Sequence, residues 1–236
     1  MLVRAYLPKI MTALFGGLFI AAGILTFGNA LLFDRLFIGI LLFTGFVCRK
    51  DINVIGIVLI ILIQHILEEL AWLYLTNNEF VKVFIYCSCL YLAYRLRHDH
   101  VAKFILFFIL LVSGTELYWA LKDYSAPQIY WHMSLIGLNL LVRNLIFSRV
   151  SMTEYYLKRT ATSINLDWII YRLYGLSIII QCAIVTEYLI RHLGGFENLL
   201  FFYYSNAYFM HGITTLAIWA IFNESYKLLL PKLLKA

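Results

Sequence analysis

The chain has 236 residues, 63% of them hydrophobic and 14% charged, with a mean hydropathy of +0.83. Soluble domains carry about a quarter charged residues, so this composition excludes a water-soluble globule and points to an integral membrane protein. The net charge of +6 would suit nucleic acid, but Lys and Arg sit between apolar runs rather than beside aromatics in polar segments; that excludes nucleic acid as a partner and leaves topology signals and anionic lipid at the cytoplasmic face.

With three prolines and no Ser/Gly-rich or charge-rich run, residues 1–236 read as a single integral membrane domain without a linker. Polar punctuation cuts the chain into about eight apolar runs, 10–27, 31–48, 53–75, 80–96, 101–121, 128–147, 168–191 and 198–222. Each is near the span of about 17 to 25 residues that crosses a bilayer. The expected fold class is therefore all-α, a polytopic transmembrane helix bundle of four consecutive hairpins at about 10–48, 53–96, 101–147 and 168–222. Arg4 and Lys9 ahead of a run ending Ala21-Ala22-Gly23 imitate a cleaved leader, yet that run pairs with the next as a first span.

Gly28-Asn29, Thr76-Asn77-Asn78-Glu79, Lys122 to Pro127 and Gly194-Gly195 read as short turns, while Arg49-Lys50-Asp51, Arg95 to His100 and Arg143 to Arg159 are basic connections. Of the 19 Lys and Arg, only Arg35, Lys82, Lys122 and Arg191 fall on the side of the short turns. The positive-inside rule then puts both termini in the cytoplasm, in a bacterial-type inner membrane or a plasma membrane. The connection 148–167, with Tyr155-Tyr156-Leu157 beside Lys158-Arg159, reads as a segment lying at the cytoplasmic interface, and Lys227 to Lys235 as a basic apolar tail against anionic lipid. Cys48, Cys87, Cys89 and Cys182 lie in apolar segments and form neither a disulfide framework nor a CxxC site.

The hairpins carry signs of an internal repeat. Glu69-Leu70-Ala71-Trp72 and Glu116-Leu117-Tyr118-Trp119 precede the outer turns of the second and third hairpins, and Thr186-Glu187-Tyr188 matches Thr115-Glu116-Leu117. The first hairpin lacks the acid and has Ala13, Gly17 and Ala21 at four-residue spacing, a stripe that admits another helix closely.

Ionisable groups inside hydrocarbon need partners, an ion or water. At about 100° per residue His65, Glu68, Glu69 and Trp72 share one helical face, expected to look into protein. Glu69, Glu116 and Glu187 are expected in one layer beneath the outer surface, with His65 and His211 near the midplane. His132, Asn139 and Arg143 on the sixth helix, and Tyr204, Tyr208, His211 and Thr215 on the eighth, form polar stripes expected to turn toward a common interior.

Several acids at low dielectric cannot all ionise without a compensating cation. One chemistry is a proton, cation or cationic-solute site built from His65, Glu68, Glu69, Glu116, Glu187 and His211. A second is a divalent metal centre on His65, Glu69 and Glu116, serving an intramembrane enzyme that acts on lipid or quinone. A third is a haem between His65 and His211. A purely structural reading stands beside them, with Glu187 and Arg191 neutralising one another at i, i+4.

His65-Ile66-Leu67-Glu68-Glu69 resembles the motif that names the HXXEE-domain family of polytopic membrane proteins, and the resemblance implies that His65, Glu68 and Glu69 act as a unit. There is no H-E-x-x-H helix, G-x-S-x-G elbow or Walker loop. The preferred function is a transporter-like or ion-handling membrane subunit; the alternatives are the metal enzyme and a non-catalytic subunit of a complex that grips a partner helix or a second copy of itself.

Overall fold

The computed structural model describes residues 2–74, 79–124 and 129–233, excepting the side chains of 2–9, 30, 79 and 229–233. Among them are eight helices and no strand: α1 Leu2–Thr26, α2 Ala30–Val47, α3 Ile52–Tyr74, α4 Glu79–Arg95, α5 His100–Ala120, α6 Ile129–Leu157, α7 Asn165–Gly194 and α8 Phe201–Leu233. The turn at Thr76-Asn77-Asn78, the second half of the Lys122 to Pro127 turn and the end of the basic tail lie outside the described residues. Four helices, α3, α5, α6 and α7, are long and apolar enough to cross a membrane. More than half of the apolar window is buried in α6 and α7, less than a third in α3 and α5.

The boundaries follow from local chemistry. Gly28 takes φ +85 after α1, a conformation that favours glycine. Asn29 then caps α2 by accepting the Leu32 N–H at 3.0 Å. Asp51 accepts from the Asn53 N–H at the start of α3, and Asp99 accepts from Val101 at the start of α5. Gly195 at φ +73 follows the end of α7.

α6 departs from the expectation of a span ending at 147. It continues to Leu157, so the interfacial connection shrinks to 158–164. Residues 148–157 contain neither Gly nor Pro, and Arg149 and Thr153 are buried on this extension, which holds it helical until Lys158 adopts φ 49.

The helices group into two compact units, Met1–Leu62 with Ser148–Leu173 and Tyr208–Ala236, and Ile63–Phe147 with Tyr174–Ala207. In the first, α1 packs on α8 through Gly16 against Trp219 and Gly23 against Thr215, with the Phe15 ring edge-on to Phe222 at 4.8 Å. The expected stripe is not the one used: Ala13, Gly17 and Ala21 are exposed, and the contact runs along the neighbouring glycines, which put no side chain between α1 and the Trp219 and Thr215 side chains.

In the second unit, α4, α5, α6 and α7 enclose Cys89, Ile105, Ile109, Met133, Ile136 and Ile178. One tight approach is at Gly137, where an added Cβ would lie 2.8 Å from the Cys89 Sγ. Gly137→Ala is expected to lower stability by about 1–3 kcal/mol through overpacking, and Cys89→Ala to recover most of that loss. Thermal melting in detergent checks this, and an unshifted single variant would show that α4 and α6 separate freely there.

Candidate functional site, a polar seam between apolar helices

Within the second unit α6 and α7 are antiparallel, because ascending positions on one meet descending positions on the other. His132 Nδ1 lies 2.7 Å from Gln181 Oε1, and Asn139 Nδ2 donates to Ser177 Oγ at 3.0 Å. Farther along, Arg143 lies against Gly175, where an added Cβ would collide with the guanidinium. Arg143 Nη2 donates to Asp99, the residue that caps α5. The sequence stripe His132, Asn139, Arg143 is thus one face of α6, and its partners are Gln181, Ser177 and Asp99. At 1% exposure Gln181 is as buried as any core leucine, and its Nε2 has no hydrogen-bond partner among the described residues.

A second relay lies on α3 and α7. Tyr174 donates its hydroxyl to Gln64 Oε1 at 3.0 Å, and Gln64 Nε2 donates to Glu68 Oε2 at 2.6 Å. His65 and Glu68 are half-buried, but Glu69 is exposed, as is Trp72, whose ring meets Trp131 edge-on at 5.1 Å. The expectation that all four residues face into protein therefore holds only in part: each position turns the helix by about 100°, which carries Glu69 off the side that Glu68 shares with Gln64.

The other acids have separate tasks. Glu187, 3% exposed, accepts the backbone N–H groups of Phe202 and Tyr203 at 2.7 and 3.0 Å, one on each oxygen. A carboxylate there satisfies N–H groups that a helix leaves unpaired and complements the positive end of its dipole. The expected Glu187 and Arg191 pair is replaced by this cap, with the Arg191 guanidinium 5.9 Å from the Tyr188 ring. Glu116, half-buried, accepts from the Tyr86 hydroxyl at 3.4 Å. Nearby on α5 and α7, Trp119, Tyr188 and His192 form an aromatic cluster, and the Tyr124 hydroxyl meets His192 Nδ1 at 2.8 Å.

In the first unit His211 Nε2 lies 2.7 Å from the Gly23 carbonyl. A carbonyl only accepts, so Nε2 carries the proton and caps the end of α1, with Phe27 and Phe33 packed on the ring. That nitrogen is not available to a haem iron. Tyr204 and Tyr208, expected to face a common interior with His211, are 68% and 64% exposed, and Tyr208 stacks on Phe27 at 4.5 Å. Helical spacing puts these residues on one side of α8 without fixing what that side meets.

The first unit also holds a network the sequence reading did not single out. Arg149 donates from Nε and Nη2 to the two oxygens of Asp167 at 2.7 and 2.6 Å, from Nη1 to Asn53 Oδ1 at 3.2 Å, and from Nη2 to the Thr162 carbonyl at 2.8 Å. Asn53 returns a bond to Thr162, and Asp167 accepts the Ile164 N–H. Gly56 gives the Arg149 stem its room on α3.

Among the described residues no group of three or more His, Cys, Asp or Glu is placed to hold a metal ion. His65, Glu69 and Glu116 are accordingly not assembled as a ligand set. What the chain presents is an all-helical protein with membrane-length apolar helices and polar side chains paired inside its helix packing. No protein family, curated protein or solved structure matches it, so the HXXEE resemblance rests on its five residues.

Losing one partner of a buried ion pair leaves an uncompensated charge and costs about 3–5 kcal/mol. Arg149→Met and Asp167→Leu are each expected to lower thermal stability on that scale, with the double variant closer to wild type than either. Melting of the three purified variants decides this, and independent, additive losses would count against a mutually neutralising pair.

Proposed function

We propose that the chain is an eight-span integral membrane protein with both termini in the cytoplasm, transporter-like or ion-handling, and that the ion it handles is the proton. The observation that carries this reading is the seam His132–Gln181, Asn139–Ser177 and Arg143–Asp99. Paired polar side chains inside membrane helices are expensive and mark ion pathways. All eight helices have 17 residues or more, α4 being the shortest, and at 1.5 Å per residue even about 17 residues reach about 26 Å.

The proton-handling groups in this reading are Glu68, Glu116 and His132. Each is within hydrogen-bonding distance of a neutral group, the Gln64 amide, the Tyr86 phenol and the Gln181 amide respectively. Amides and phenols accommodate either protonation state of a neighbour by turning a donor or an acceptor toward it. Glu187 and His211 are then scaffold, because one caps α8 and the other closes α1. His65 belongs with Glu68 on the half-buried side of α3.

In liposomes loaded with a pH-sensitive dye, the reconstituted protein is expected to dissipate an imposed proton gradient. Glu68→Gln and His132→Gln, which keep a hydrogen-bonding amide beside Gln64 and Gln181, should each slow that decay about tenfold while leaving the melting temperature near wild type. Decay no faster than in empty liposomes, or unchanged in both variants, would reject the reading.

A further inference from the structure

Two exposed charged side chains of opposite sign lie within the apolar helices α2 and α3. Glu69 on α3 and Arg35 on α2 are both exposed, and neither has a hydrogen bond or ion pair among the described residues. Their neighbours differ: Asp34, His65 and Glu68 are half-buried and have interactions of their own. Arg35 lies five residues after the start of α2 and Glu69 five residues before Tyr74, the last residue of α3. At 1.5 Å per residue both are about 7.5 Å from their helix ends. If the two helices span in opposite directions, as the eight-span reading has it, those ends belong to the same side of the membrane and the charges lie at one depth.

Each charge sits in an apolar stripe suited to a helix neighbour. On α3 the exposed residues Ile63, Ile66, Leu70 and Leu73 recur at spacings of three and four, with Glu69 beside them. On α2 the exposed residues Leu32, Arg35, Gly39, Leu42 and Phe46 recur in the same way. Such three-four spacing forms a straight seam along a helix. A Cβ built on Gly39 would meet nothing within 4 Å, so this position offers a notch where another helix backbone can approach closely.

We propose that two copies of this chain associate in the membrane by packing α2 of one against α3 of the other, with Arg35 of the first paired to Glu69 of the second. The occupant is a second copy because the chain itself supplies the opposite charge, at matching depth, on a stripe of matching period. Rotation about the membrane normal preserves depth, so symmetric association keeps the two charges level. An unpaired charge facing lipid is unfavourable, and pairing across the interface removes two at once.

Single-molecule photobleaching of the full chain, labelled and diluted in liposomes, tests the proposal. Wild type is expected to bleach in two steps. Arg35→Glu or Glu69→Arg alone should weaken association at least tenfold and give mostly single steps, and the chain with both substitutions should return to two. Single-step wild type, two-step single variants, or a folded double variant that stays single-step would each overturn it.

A second measurement covers variants that insert poorly. With exposed Cys87 changed to Ser, copies bearing Arg35→Cys are mixed with differently tagged copies bearing Glu69→Cys. A disulfide between the two kinds of copy supports the pairing, and its absence overturns it. The proposal rests on the membrane-spanning reading, so an impermeant thiol reagent is applied to both cysteine variants in sealed vesicles. Labelling from the same face with no mixed disulfide overturns the dimer alone; labelling from opposite faces overturns the spanning reading and the dimer together.

Discussion

The constraint on which this structure depends is the cost of an unpaired polar group among apolar helices. At Arg149 it is met by every guanidinium nitrogen. Its guanidinium reaches a carboxylate, a side-chain amide and a backbone carbonyl at once, and those partners come from the start of α3, the connection after α6 and the start of α7. The residues 158–164 therefore need no secondary structure of their own: they are fastened at Thr162 and Ile164 to charges that would otherwise be stranded. Glycine is the counterpart of this arrangement. Gly56 and Gly175 each lie where an arginine passes a neighbouring helix, and a methyl group at either would press on the side chain that the network holds.

The same constraint sorts the acids into two kinds. Glu187 and Asp167 are locked, one on two backbone N–H groups and the other on a bidentate guanidinium. Backbone N–H groups and a guanidinium offer hydrogens and accept none, so both carboxylates serve as acceptors alone. Glu68 and Glu116 each have a neutral donor among their partners, an amide and a phenol. Carboxylates that look equivalent in sequence thus acquire different chemistry from their donors alone. The proton-handling reading follows this division and sets Glu187 apart from the residues with which its motif would group it.

Much of the framework was legible in the sequence because it is encoded locally. Gly28, Asn29, Asp51 and Asp99 mark helix ends whose capping bonds the structure contains, and the face shared by His132, Asn139 and Arg143 follows from helical periodicity. What periodicity does not specify is the neighbour. Tyr204 and Tyr208 share a side of α8 with His211, yet they are exposed while His211 closes the end of α1. The polar partners Gln64 and Gln181 were visible as lone amides in apolar runs, a signal as strong as an isolated acid, since an amide among leucines also needs a hydrogen bond. Asp167 and Arg149 were harder to read. Each sits in the connection expected at 148–167, and charged residues at a membrane boundary ordinarily need no explanation.

Glu68 and Glu69 share one turn of α3. They are adjacent in sequence and equal in chemistry, but a rotation of about 100° separates them. Glu68 meets an amide on its own helix that is held in turn by Tyr174 on α7, whereas Glu69 emerges among exposed Leu70, Trp72 and Leu73. Glu69 is exposed and has no hydrogen bond or ion pair among the described residues. The surroundings of Glu69 therefore have to come from outside the fold, from the lipid headgroups above it or from another protein surface bearing a cation at its depth.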